Sequence, residues 1–111
     1  MKPKFEVEFL SEAEDFMESL NPKAREKIYY NIRKSSITLD NELFKKLNSN
    51  IWEFRTLYNK TAYRLFAFWN LDSKYKTIVI TSHGIIRKSD KGYIQEIKKA
   101  ESIRKTFLKI K

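Results

Sequence analysis

Four side chains of this sequence are suited to chemistry on a phosphate: Arg55, Arg64, His83 and Lys88. A guanidinium can contact two oxygens of one phosphate, an ammonium neutralises it as a point charge, and an imidazole moves protons near neutral pH. Together they can support RNA cleavage without a metal. One group takes the proton of a 2′-hydroxyl, cations hold the charge that builds on the pentacovalent phosphate, and an acid serves the leaving 5′-oxygen. A preorganised donor aimed at such charge is worth on the order of 3 kcal/mol, and general acid–base catalysis adds about 10²- to 10⁴-fold. Arg87 and Lys91 extend the basic run around Lys88, while Tyr63, Tyr75 and Tyr93 offer rings on which a base can stack.

Each of these residues also has a structural alternative. His83 precedes Gly84 and can be a strand-end residue bonded to backbone, Arg55 can pair with Glu53 or with an acid of the first helix, and Lys88 and Lys91 can be solvated loop residues. Most of the six tyrosines of a small aromatic-rich domain serve packing. Other chemistries have few or no residues to work with. Cysteine is absent and His83 is the one histidine, which excludes disulfides, thiolate nucleophiles and Cys- or His-rich zinc sites. The triplet Glu96-Ile97-Lys98 lies in a helical pattern without a matching acidic strand residue, so neither a metal nor another cofactor is expected.

The 111 residues suit one domain, 1–111, and 41% apolar residues with two glycines and two prolines exclude a disordered or linker chain. Leu65 to Trp69 is the longest apolar run, far short of the roughly 20 residues of a membrane span, and no apolar leader opens the chain. A cytoplasmic protein without a membrane partner is expected. Its net charge of +9 points to a polyanion. Residues 1–20 hold Lys2 and Lys4 against Glu6, Glu8, Glu12, Glu14, Asp15 and Glu18, so the cationic excess belongs to the later elements.

Those elements follow from periodicity. Lys4 to Phe9 alternates as a half-buried strand, with Phe5, Val7 and Phe9 on one face. Ser11 and Glu14 have the spacing of a capping box for a short helix bearing Ala13, Phe16, Met17 and Leu20. Asn21-Pro22 starts a second helix, predicted to run to about Lys34. A polar stretch, Ser35 to Asp40, and a lysine-bearing segment, Leu43 to Leu47, lead to three strands over Ile51–Tyr58, Ala62–Leu71 and Lys76–His83, the first two joined by a turn at Asn59-Lys60. Gly84 closes the last strand, Ile85 to Gly92 forms a basic loop, and Ile94, Ile97, Ala100, Ile103, Phe107 and Ile110 keep helical spacing. The order β-α-α-β-β-β-α predicts an α+β fold, a mainly antiparallel four-stranded sheet with two N-terminal helices and a C-terminal helix packed on it. With the Trp52 and Phe54 face as core, Glu53, Arg55 and Arg64 are expected on an outward, concave surface.

Ile51-Trp52-Glu53-Phe54-Arg55, Tyr63-Arg64-Leu65-Phe66, a strand ending His83-Gly84, Arg87-Lys88, and Glu96-Ile97 with Ala100 in a basic last helix resemble, as an ordered set, the RelE/ParE toxin superfamily. Within it the chain is similar to the HigB-like, phage-derived branch of type II toxin–antitoxin systems. The resemblance implies a RelE-like fold and a ribosome-dependent, metal-independent endoribonuclease that cuts mRNA and arrests translation. It places catalytic roles on Arg55, Arg64, His83 and Lys88 and RNA contacts on Arg87, Lys91, Tyr93 and Tyr63. It also implies three partners: mRNA, the ribosome and a helix-turn-helix, HigA-like antitoxin. Relatives often carry Thr-Pro before the last helix where this chain has Gly92-Tyr93. Two alternatives remain, a ParE-like inhibitor of DNA gyrase and a decayed toxin that only binds RNA or its antitoxin.

Overall fold

A computed structural model describes residues 2–70 and 78–110. Its elements are β1 (Glu6–Phe9), α1 (Ser11–Ser19), α2 (Pro22–Thr38), β2 (Phe44–Lys46), β3 (Trp52–Tyr58), β4 (Thr61–Asn70), β5 (Ile78–Arg87) and α3 (Tyr93–Leu108). One sheet of five strands runs in the order β1-β5-β4-β3-β2, with β1 parallel to β5 and the other pairs antiparallel. The α+β class and the β3-β4-β5 meander agree with the pattern of the sequence; the four-strand count does not. The fifth strand is the lysine-bearing segment. Phe44 pairs with Phe54 in register and stacks on Phe54 and Trp52 at 4.4 and 4.8 Å, so three residues are held as a strand by aromatic contact.

Local signals set some boundaries, and tertiary bonds moved others. Asn21 Oδ1 accepts from the N–H groups of Lys23 and Ala24 at 2.9 and 3.2 Å, an N-cap followed by Pro22 in the first turn. The capping box at Ser11 is not formed. The Leu10 N–H bonds the Thr81 carbonyl at 2.9 Å, anchoring the chain to β5, and Leu10 rather than Ser11 occupies the cap position without a side-chain bond. Helix α2 passes Lys34 because tertiary contacts hold its end: Ser35 and Ser36 are buried and the Lys4 N–H bonds the Ser36 carbonyl at 2.7 Å, while the hydroxyls of Ser35, Ser36 and Thr38 are satisfied by the carbonyls of Ile32, Arg33 and Lys34. Asn59 and Lys60 both take positive φ, 50° and 63°, as a two-residue hairpin turn between right-twisted strands requires.

Both faces of the sheet are covered. On one, Phe54, Leu65, Ala67 and Val79 meet Ala13 and Met17 of α1 and Ile28 and Ile32 of α2. On the other, Phe66, Phe68 and Ile80 meet Ala100, Ile97 and Ile103 of α3. Glu53, Arg55, Arg64 and His83 share this second face, so the surface expected to be outward and open is roofed at one end by α3. Two departures in β5 follow. A bulge leaves Ser82 without an opposite residue, Phe66 facing His83 and Ala67 facing Thr81, so that His83 and Ile80 point to the same face although three positions apart. Gly84 does not end the strand. A Cβ there would lie 2.3 Å from Phe16 Cδ2 and 2.7 Å from Leu65 Cδ2, and the glycine lets α1 approach the strand closely. No helix among the described residues is long and apolar enough to cross a membrane.

Candidate functional site

Register brings the arginines together. Arg55 on β3 lies directly opposite Arg64 on β4, and Glu53 lies opposite Phe66, which in turn lies opposite His83 on β5. The Glu53 carboxylate is the organising group. Its Oε1 is 3.5 Å from Arg55 Nε and 3.7 Å from Arg64 Nε, and its Oε2 accepts a hydrogen bond from the Tyr93 hydroxyl at the start of α3. At 2% exposure the Glu53 carboxylate is surrounded by two guanidinium groups and a phenol, which offset the cost of its burial. The two arginines differ in access, the Arg55 side chain being 32% exposed and that of Arg64 11%.

Burial pulls Arg64 below the usual arginine value, which Glu53 opposes and the positive fields of Arg55 and Arg87 reinforce. Burial also pushes the Tyr93 phenol upward, and its bond to Glu53 adds to this, so Tyr93 stays a protonated donor. The Tyr93 ring carries the Arg87 guanidinium over one face at 4.2 Å. Arg87 is further held by Asp90.

A second knot ties α3 to β5. The His83 ring stacks on Phe66 with centroids 4.9 Å apart; its Nε2 is 3.1 Å from Glu96 Oε2 and its Nδ1 is 3.1 Å from Ser82 Oγ. A neutral ring facing a carboxylate carries its hydrogen on Nε2, leaving Nδ1 as an acceptor beside the Ser82 hydroxyl, whose one hydrogen is shared between Nδ1 and the Phe66 carbonyl 3.2 Å away. Burial lowers the His83 pKa from its usual value, against the hydrogen bond to Glu96, which raises it. His83 is 1% exposed. The sequence placed it at a strand end beside the phosphate, but β5 continues to Arg87 and α3 covers the ring, so the imidazole reaches no ligand in this conformation.

This environment has a pH signature. The unfolded chain protonates His83 near 6.5 and the folded chain only below that, so between the two values the unfolded state binds more protons. Stability contributed by the neutral ring is present above pH 6.5 and lost as pH falls toward the lowered value. Melting temperature should therefore drop more steeply between about pH 7 and pH 5 in the wild type than in His83→Gln. Equal slopes in differential scanning calorimetry would contradict this.

The remaining basic residues line two hollows. Arg87, Lys88 and Lys91 border one of about 280 Å³ with Tyr93 and Glu96, Lys88 and Lys91 being exposed. Arg55 and Arg64 reach a groove of about 480 Å³ between α2 and the edge of β3, where Lys27 and Lys34 add charge against Glu42 alone. Tyr63 is not part of either. It points to the opposite face of β4 from Arg64 and packs against the α1/α2 core. Tyr75 lies outside the described residues.

Sequence reasoning named Glu53 as a partner for Arg55, which the structure bears out, but not as the group that also holds Arg64 and Tyr93; it gave Glu96 no part in the site and did not single out Lys27, Lys34 or Ser82. One signal was available for the acids: Arg64, Phe66 and Phe68 share parity, and a face bearing two phenylalanines beside an arginine needs a cover and a counter-ion. Gly92, with φ of 80°, caps α3 in place of a side-chain cap and starts the helix at Tyr93, where the phenol meets Glu53.

Residues 15–105 match the family described as Phage derived protein Gp49-like, and the chain belongs to that family, whose members are RelE-like and commonly toxin-like. No curated protein matches the chain.

Proposed function

We propose that this protein is the toxin of a type II toxin–antitoxin system of the HigB-like branch, a metal-independent endoribonuclease that cuts mRNA on the ribosome. The observation that carries the proposal is the pairing of Arg55 with Arg64 across neighbouring strands, both set by one buried carboxylate. Guanidinium groups held in advance of the substrate stabilise a developing phosphorane charge without reorganising during the reaction. Arg55, the accessible one, contacts the non-bridging oxygens, and Arg64 supplies charge from behind. The 2′-hydroxyl gives its proton to water as its oxygen attacks phosphorus, a 2′,3′-cyclic phosphate forms, the bond from phosphorus to the 5′-oxygen breaks, and that oxygen takes a proton from water and leaves as a 5′-hydroxyl. Arg87, Lys88 and Lys91 follow the flanking backbone. His83 acts through Glu96 by seating α3, a positioning role in place of the proton transfer expected of it. A cognate helix-turn-helix antitoxin is the expected partner.

The burial of Arg64 and His83 favours a second reading, a protein that binds RNA without cutting it. Cleavage of a reporter mRNA on translating ribosomes separates the two, with DNA breakage scored in parallel for gyrase inhibition. On either RNA reading, affinity for a single-stranded oligonucleotide should fall with salt, each phosphate contact contributing about 0.7 to the log–log slope. Binding measured by fluorescence anisotropy that is insensitive to salt would contradict phosphate recognition.

A further inference from the structure

The second half of β3 is an open sheet edge. β2 pairs only with Trp52, Glu53 and Phe54, and one further bond, from the Arg55 N–H to the Leu43 carbonyl at 2.8 Å, ends that ladder. The two-residue turn makes Tyr58 and Thr61 a hydrogen-bonded pair, and alternation then directs the backbone groups of Arg55 and Leu57 away from β4. The Arg55 carbonyl and the Leu57 N–H and carbonyl therefore face an edge that no strand among the described residues covers. Leu57 is 70% exposed at its centre. Beside it runs the groove with Lys27, Lys34, Arg55 and Arg64 against Glu42.

We propose that this edge accepts an extended acidic segment of a partner protein as an added β-strand, its main chain bonded at Leu57, its carboxylates on the α2 side facing Lys27 and Lys34, and its alternate side chains lying on the side of Arg55. Unpaired main-chain donors and acceptors at strand spacing are a template for another strand, and alternate side chains then read the flanks. A second copy of this chain fits poorly, because edge-to-edge pairing sets the same cations against each other. RNA can use the cations but not the row of backbone groups or the exposed leucine. The segment would cover Arg55, so it would also exclude RNA; that consequence alone rests on the function proposed above.

The test uses the full chain and a blocked, fluorescently labelled seven-residue peptide of alternating glutamate and valine. Anisotropy should show saturable binding, about tenfold or more weaker when the peptide backbone is N-methylated at alternate residues, the size expected for losing two hydrogen bonds. Lysine in place of the glutamates should abolish it, and amide shifts by NMR should centre on Arg55 and Leu57. Leu57→Pro, which removes the one outward N–H, should weaken peptide binding about threefold or more, the size expected for losing one hydrogen bond, while single-stranded RNA binding stays within about twofold. Equal affinity of the N-methylated peptide, no binding, shifts elsewhere on the surface, or a self-paired dimer that the peptide does not dissociate would each overturn the docking proposal. RNA competition is read separately: peptide bound at this edge without displacing RNA sinks the placement of RNA on Arg55 and leaves the docking edge standing.

Discussion

Arg55→Ala should lower ribosome-dependent RNA cleavage by about 10²- to 10³-fold, the range for removal of one preorganised donor from a developing anion. Its stability should change by less than about 1 kcal/mol, because Arg55 is a third exposed and its ion pair with Glu53 is partly screened by water. Glu53 keeps Arg64 and the Tyr93 hydroxyl when Arg55 is lost, so the site should stay folded. Growth arrest on induction gives the activity readout and thermal unfolding gives the control. An Arg55→Ala protein that still cuts RNA at the wild-type rate would remove this guanidinium from the chemistry.

The opposite balance is expected at Glu53. Glu53→Ala leaves Arg64, largely buried, without its counter-ion and removes the acceptor of Tyr93, and should cost about 3 kcal/mol, a fall in Tm of roughly 10 °C for a domain of this size. Arg64→Ala should destabilise for the mirror reason, contrary to the outward placement that strand parity suggested. Replacing both members, Glu53→Leu with Arg64→Met, should cost clearly less than the sum of the two single changes, since no charge is then left unpaired. Strict additivity of the three unfolding free energies would mean that the pair does not interact.

Much of this arrangement is legible in the chain. Alternation in β3 and β4 puts Glu53, Arg55 and Arg64 on one side, and the Asn59-Lys60 turn sets their register, because a two-residue hairpin leaves little freedom in the pairing. What periodicity does not carry is the third dimension. It cannot tell which face α3 covers, and so it left Arg64 and His83 exposed where the structure buries them. Nor does it mark the bulge at Ser82, which shifts His83 to the Arg64 face, or a three-residue strand held by the stacking of Phe44. The central role of Glu53 is not legible for a chemical reason: a net charge of +9 marks the cations as a surface, whereas only burial shows that one carboxylate fixes where two of them can sit.

The link between the two knots explains why α3 matters to a site on the sheet. Tyr93 holds Glu53 and, three residues on, Glu96 holds His83, so the first turn of one helix touches β3 and β5 at once. Both bonds occupy groups that would otherwise be free for proton transfer, which leaves Arg55 and the basic loop as the accessible cations.

The most direct test is end-group analysis of a reporter mRNA incubated with the purified protein and translating ribosomes, beside Arg55→Ala. A metal-independent attack by the 2′-oxygen predicts new cuts bearing 2′,3′-cyclic phosphates and 5′-hydroxyls, strongly reduced in the variant. Intact mRNA with the wild-type protein, or equal cutting by both proteins, would contradict the paired-arginine account.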